Sequence, residues 1–243
     1  MNGPVKDYVC LDLETSGLYP RLDKIIEIGA VKVLGGVAAE RFQTFVHPGR
    51  KLSGHTSEIT GITDRDLESA PYIEEALPEF LAFAGELPLL GHSVLFDYSF
   101  MKKAAVNQGL TFERTGVDTL KLARKFLPEL ESKNLGFLCR HFGISHTAHR
   151  ALGDALATQR LYEVLCGLFL EGNEKDFAPQ PLIYRVKKEG PASSAQKERL
   201  YKLTAAHKLE LDADIEKMTK NEASRTIDKI LAQYGKIPGK EKF

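Results

Sequence analysis

The stretch VCLDLETSGL, residues 9–18, alternates apolar and acidic positions and then breaks at a Ser-Gly turn. In an extended strand, residues two apart share a face. Leu11 and Leu13 therefore point into a core, and Asp12 and Glu14 point out of it together. Two carboxylates at one strand end suit a single hard cation, because such ions prefer oxygen ligands. Taken alone, the pair is also what an exposed strand end looks like. The hydroxyls and bend that follow, Thr15 to Leu18, offer a place where the end of a ligand would rest.

Working outward, residues 7–13 read as a strand closed by the turn signal SGLYP. Residues 25–34 (IIEIGAVKVL) alternate as a second strand, Gly35-Gly36 turns the chain, and residues 37–47 return as its hairpin partner. SEITGITDRDL reads as turns and a short helix. An amphipathic helix follows over 73–85, with Ile73, Leu77, Leu81 and Ala84 on one side. LPLLGHS is a short buried strand, and 97–108 is a helix stopped by Gly109. A short extended piece ends at Val117-Asp118-Thr119. Helices over 120–126, 134–142 and 150–170 complete the domain, the last with Leu152, Leu156, Leu161, Leu165 and Leu168 as its spine. Strands first and interspersed helices afterwards imply an α/β domain.

The texture changes after residue 171. The expected organisation is a main domain over 1–171, a proline-bearing linker over 172–194, and a small all-α C-terminal module over 195–243. Within the module, helices are expected over 195–207, 213–218 and 222–234. Ser193 with Gln196, and Thr219 with Glu222, have capping-box spacing.

Composition narrows the class. The chain has 243 residues, 43% hydrophobic and 27% charged, with a formal net charge of zero. Residues 1–171 hold 18 Lys+Arg against 22 Asp+Glu, and residues 172–243 hold 15 against 11, so the module is basic and the main domain acidic. An acidic front does not attract polyanions by itself, but bound cations reverse the local sign. No apolar run reaches the roughly 18 residues a membrane helix needs, and MNGPVKDY lacks a signal peptide's apolar stretch. Cys10, Cys139 and Cys166 have neither disulfide nor metal spacing, and suit a reducing compartment. The expectation is a cytoplasmic protein with no membrane contact.

Three further groups stand out. Asp97 lies among Phe96, Tyr98 and Phe100. An unpaired charge there is costly to bury, so it is either a helix N-cap, a metal ligand, or both. His149 and Asp154 are five residues apart. On one continuous helix that spacing leaves them roughly 140° apart. Both serve one site only if His149 lies in the loop before the helix and Asp154 in an early turn. The plain alternatives are a surface histidine and a helix-start acid favoured by the dipole. His141 and His146 lack an acid at matching spacing and read as structural.

In order, LDLETSGL, IIEIGAVKV, GH-x-x-x-FD, DTLKLAR and AHRALGDALAT resemble the DEDDh exonucleases, the DnaQ-like group that contains the epsilon proofreading subunit of bacterial DNA polymerase III. The resemblance spans roughly residues 6–170. It implies a ribonuclease-H-like fold, a mixed sheet flanked by helices. It implies two divalent cations, Mg²⁺ or Mn²⁺, held by Asp12, Glu14, Asp97 and Asp154, with His149 as general base. Members often carry Asn after the histidine of the GH segment, and this chain has Ser93.

The function that the resemblance implies is 3′-5′ exonucleolytic release of nucleoside 5′-monophosphates from DNA 3′ ends, in proofreading or repair. Single-stranded DNA is the expected substrate, and a DNA polymerase or other replication or repair protein the expected partner. Thr15, Gly17, Leu18, Ile62 and His92 are the expected substrate contacts: Leu18 as a wedge at the terminal base, Thr15 at the sugar, Ile62 stacked on a base. Two alternatives share these residues: an exoribonuclease of the ribonuclease-T or oligoribonuclease type, and a non-catalytic nucleic-acid-binding subunit. The basic module reads equally as a phosphate-contacting element and as a docking or stabilising one.

Overall fold

The computed structural model describes residues 4–146 and 149–237. Residues 1–3 and 238–243, the outer ends of the expected main domain and module, lie outside that description. So do residues 147–148 of the loop before His149.

Six strands form one sheet in the order β3-β2-β1-β4-β5-β6. They are β1 (Tyr8–Thr15), β2 (Ile25–Leu34), β3 (Val37–Phe45), β4 (Leu89–Gly91), β5 (Thr115–Asp118) and β6 (Gln180–Pro181). The hairpin expected after Gly35-Gly36 forms, with both glycines at positive φ, and β1, β2 and β3 pair antiparallel. β4 lies parallel to β1, and β5 parallel to β4. The sheet is therefore mixed, and β1 sits where the chain's pairing changes direction.

Alternation along β1 and β2 gives the sheet two apolar faces. Val9, Leu11, Leu13, Ile28 and Ala30 pack on one side with α3 (Ile73–Ala84) and α4 (Val94–Gln108). Tyr8, Cys10, Val31 and Val33 pack on the other, with α5 (Thr119–Phe126), α6 (Leu135–Phe142) and α7 (Ala151–Phe169). Two short helices, α1 (Gly54–Thr60) and α2 (Asp64–Leu67), stand where turns and one short helix were expected. The Thr63–Asp66 capping box splits that stretch in two.

The first turn of α7 lies close on β2 because the contact there carries a glycine and an alanine. Ala151, Ala155 and Leu161 are fully buried, and Gly29 of β2 sits under the first turn. A Cβ on Gly29 would lie 2.1 Å from the Ala151 carbonyl carbon and the Leu152 nitrogen. Overpacking of this kind typically costs about 1–3 kcal/mol. Gly29→Ala should reach the upper end of that range in a urea titration, because the obstacle is backbone and no flexible side chain gives way. A loss under roughly 0.5 kcal/mol would show that α7 is not held this closely.

The chain divides into two compact units. One runs through Pro48 and from Leu52 to Val186. The other comprises Gly49–Lys51 and the chain from Lys187 onward. The segment expected to be a linker is thus largely part of the first unit. Phe177 is fully buried and Leu182 is 9% exposed, while β6 pairs antiparallel with β5. Buried apolar side chains tie this proline-bearing stretch to the core.

The second unit contains α8 (Ser194–His207), a 3₁₀ turn over Ile215–Lys217 and α9 (Lys220–Tyr234). Capping boxes start both helices, as the spacing predicts. Leu200, Leu203, Met218, Ile227 and Ile230 form its core. The strip Gly49–Lys51 joins it through Lys51 N–H donating to Asp212 O (2.7 Å) and Asp214 N–H donating to Gly49 O (2.9 Å). No helix among the described residues is long and apolar enough to cross a membrane.

Candidate active site

The acidic site forms at the C-terminal end of β1. With Leu11 and Leu13 in the core, Asp12 and Glu14 face the first turn of α7. A register shift between Glu14 and Thr15 ends the regular pairing with β2. Irregularities of this kind re-aim side chains and are common beside active sites. Asp154 reaches the same place from α7. Oxygens of Asp12, Glu14 and Asp154 lie within 4.8 Å of one another, close enough to share one cation.

Asp97 approaches from α4. Its Oδ1 accepts a hydrogen bond from Leu13 N–H at 3.1 Å, and the residue is 3% exposed. It is not the helix cap that was one reading of the sequence. α4 begins at Val94, and Ser93 stands at the cap with φ 76°. That left-handed conformation is where Asn is enriched over other non-glycine residues, a physical reason for the Asn that the sequence resemblance leads one to expect there. Ser93 N–H donates to Asp118 Oδ1 at 3.0 Å, and the same carboxylate caps α5.

Crowding these acids has an electrostatic consequence. Burial drives the Asp12 carboxyl well above the ordinary carboxylate range, and the charges of Asp97, Asp154, Glu14 and Glu27 add to it. Burial likewise raises Asp97, against the opposing Leu13 N–H bond. Glu14 is pushed up to about 7, by burial first and then by Asp154 and Glu27, with Arg150 pulling the other way. Like charges gathered this closely call for a counter-cation. An all-carboxylate donor set fits Mg²⁺ or Mn²⁺.

His149 stands in the loop before α7, the placement needed for it and Asp154 to serve one site. It is exposed and adopts φ 61°. Its backbone N–H donates to Asp154 Oδ2 at 3.0 Å, so the backbone here is tied to the acid while the residue stays exposed. His146, read from sequence as structural, also reaches the site: its Nε2 is hydrogen-bonded to Asp154 Oδ1. No spacing rule finds it, because an irregular loop makes the approach.

Another group escaped the sequence reading. Glu27, on β2 directly across from Glu14, is fully buried. It accepts from Arg150, Gln43 and the Ala151 N–H. The available signal was an acid inside the apolar run IIEIGAVKVL, two residues before Gly29 and on its face.

The expected substrate contacts divide. Leu18 is 72% exposed beside the site. Thr15 Oγ1 donates to Gly17 O at 2.7 Å and closes the turn that presents Leu18. Gly17 lies against Asp23, where a Cβ would come within 2.5 Å of the carboxylate. Ile62 is not a stacking surface: it is 2% exposed, packed with Ile26 and Leu67, because its apolar side chain fills the gap under α2. His92 is a brace. Its Nδ1 is bonded to Thr119 Oγ1 at 2.9 Å and its Nε2 to Lys133 O at 2.8 Å, so both ring nitrogens are used within the protein.

Residues 9–162 match the family model described as Exonuclease (RNase_T). The chain is 38% identical over 157 residues to the DNA polymerase III epsilon subunit of Aquifex aeolicus, covering 64% of this chain and 78% of that protein. It is 40% identical over 156 residues to the PolC-type DNA polymerase III of Clostridium perfringens, covering 64% of this chain and only 11% of the polymerase. The fold is shared with the nuclease domain of 3′hExo, a DEDDh family member bound to rAMP. The TM-score is 0.61 at 17% identity, covering 73% of this chain and 98% of that one. The match over residues 9–162 shows that this chain belongs to the exonuclease family, and it is similar to the epsilon subunit of DNA polymerase III.

Proposed function

We propose that the chain removes nucleotides one at a time from DNA 3′ ends and releases nucleoside 5′-monophosphates. One observation carries this reading most: carboxylates from a strand and a helix converge with their oxygens within 4.8 Å, beside an exposed histidine. Asp12, Glu14 and Asp154 would hold one divalent cation. Asp97, with Asp12, would serve a second. Such ions, when bound, stabilise the charge that builds on the phosphate and make water more acidic.

The remaining steps belong to the chain's own groups. An imidazole nitrogen of His149 accepts the proton of the attacking water. The water oxygen bonds to phosphorus as the bond from phosphorus to the leaving 3′ oxygen breaks. Thr15 and Gly17 shape the turn, and Leu18 meets the terminal base. The names of the relatives support DNA as substrate and a polymerase or other replication or repair protein as partner, and a cytoplasmic setting goes with that reading. RNA is a second reading, favoured by the rAMP in the structural neighbour, and it uses the same residues.

A digestion panel tests the proposal: matched DNA and RNA oligonucleotides, single-stranded, paired and mismatched at the 3′ end. With Mg²⁺ or Mn²⁺, stepwise shortening of single-stranded DNA and recovery of 5′-monophosphates are expected, and EDTA should abolish both. Shortening of RNA alone would move the activity to the second reading. No metal-dependent release from either would overturn both.

A further inference from the structure

Glu27 is a buried carboxylate that the proposed chemistry does not use. Its two oxygens are saturated by four donors. Oε1 accepts from Gln43 Nε2 at 2.7 Å and from Arg150 Nη2 at 2.9 Å. Oε2 accepts from Arg150 Nε at 3.3 Å and from Ala151 N–H at 3.2 Å. Arg150 and Ala151 are the two residues that follow His149. The Arg150 guanidinium also lies 5.1 Å from the Phe45 ring centroid. One acid on β2 thus grips both the side chain and the backbone at the mouth of α7.

The local chain explains why such a grip matters. His149 holds φ 61°, a conformation that a residue with a Cβ persists in only when its surroundings over-determine it. On one side, its N–H is tied to Asp154 Oδ2. On the other, the chain is clamped to Glu27. Removing either tie frees the turn to relax. Gly29, two residues along β2 on the same face, lets α7 settle close enough for the clamp to reach.

We infer that Glu27 is a positioning residue, which through Arg150 and Ala151 N–H sets the direction of the His149 imidazole. The inference rests on His149 being the proton acceptor. Misplacing a reacting group by about 1 Å can lower turnover on the order of 10²-fold. Glu27→Gln keeps the size and puts an amide where two acceptor oxygens stood. It should lower kcat by roughly 10–100-fold with KM within about twofold, and shift the Ala151 and His149 amide signals in NMR spectra of the metal-free protein.

Three variants decide the matter. In a His149→Ala background, Glu27→Gln should cost less than about threefold more, since the imidazole it aims is already gone. Arg150→Lys keeps the positive charge but loses the two-pronged grip. It should lower kcat in the same sense, and it remains informative if Glu27→Gln does not fold. An additive loss in the His149→Ala background, or wild-type kcat in both Glu27→Gln and Arg150→Lys, would overturn the inference. So would a loss in Glu27→Gln with none in Arg150→Lys, which marks an effect of charge alone. Wild-type turnover in His149→Ala itself would instead overturn the assignment of the base.

Discussion

Asp12→Asn is expected to lose at least ~10⁴-fold in turnover at saturating Mg²⁺, beyond the ~10²–10⁴ that removal of a general base typically costs. Asp12 shares a cluster with Glu14 and Asp154 and is close enough to Asp97 for the two charges to act on each other, so in the proposed reaction it is the ligand that two cations would share. The same substitution should make the metal-free protein more stable. Carboxyls whose folded pKa is raised contribute stability that is present below the ordinary carboxylate pKa and is lost as pH climbs through the folded value. Here the folded values are raised for Asp12 and Asp97 and reach about 7 for Glu14. Metal-free wild type should therefore weaken from about pH 4 to pH 7 and above.

Asp12→Asn takes one acid out of that crowd. In EDTA at pH 7.5 it should melt higher than wild type, by an amount on the order of 1–2 kcal/mol or roughly 2–8 °C. The difference should close near pH 4. Mn²⁺ should reverse the order, because an ion that binds the folded state stabilises it and the wild type keeps the carboxylate that the variant has lost. Calorimetry with and without metal reads all three outcomes. Wild-type turnover in the variant would show that the site is misassigned, and a lower melting point in EDTA would refute the crowding account.

His149→Ala carries the second large effect. General-base catalysis supplies ~10²–10⁴-fold, which corresponds to about 2.7–5.5 kcal/mol of barrier at 1.36 kcal/mol per tenfold. The variant should keep slow, metal-dependent activity, since the carboxylates are untouched, and its KM should stay within about threefold. Because His149 is exposed, added imidazole has access to the vacated space and should restore part of the rate. His146→Ala is the control. His146 contacts Asp154 but is assigned no proton transfer, and it should lose less than about tenfold. If His146→Ala suffers the larger loss and His149→Ala the smaller, the two histidines exchange roles.

How far the sequence reaches is clearest at these positions. Alternation along β1 depends on neighbours two residues apart, so the outward pairing of Asp12 with Glu14 follows from the chain alone. The hairpin after Gly35-Gly36 and the capping boxes at Ser193 and Thr219 are equally local. His149 before α7 and Asp154 in its first turn is the arrangement that the sequence names as the condition for both to serve one site. Ile62 shows the limit. Its neighbours describe an apolar residue in a turn, and only the packing of Ile26 and Leu67 around it decides that no base reaches it.

The acidic face of β1, the glycine hairpin and the capped starts of α8 and α9 were determined by the sequence itself, because short-range periodicity, turn chemistry and capping act between residues a few positions apart. Tertiary structure alone decided that His146 meets Asp154, that β6 extends the sheet, and that Glu27 clamps Arg150 across 123 residues of chain. Those contacts join segments whose local patterns say nothing of one another. They exist because the sheet and α7 close over the same buried ground.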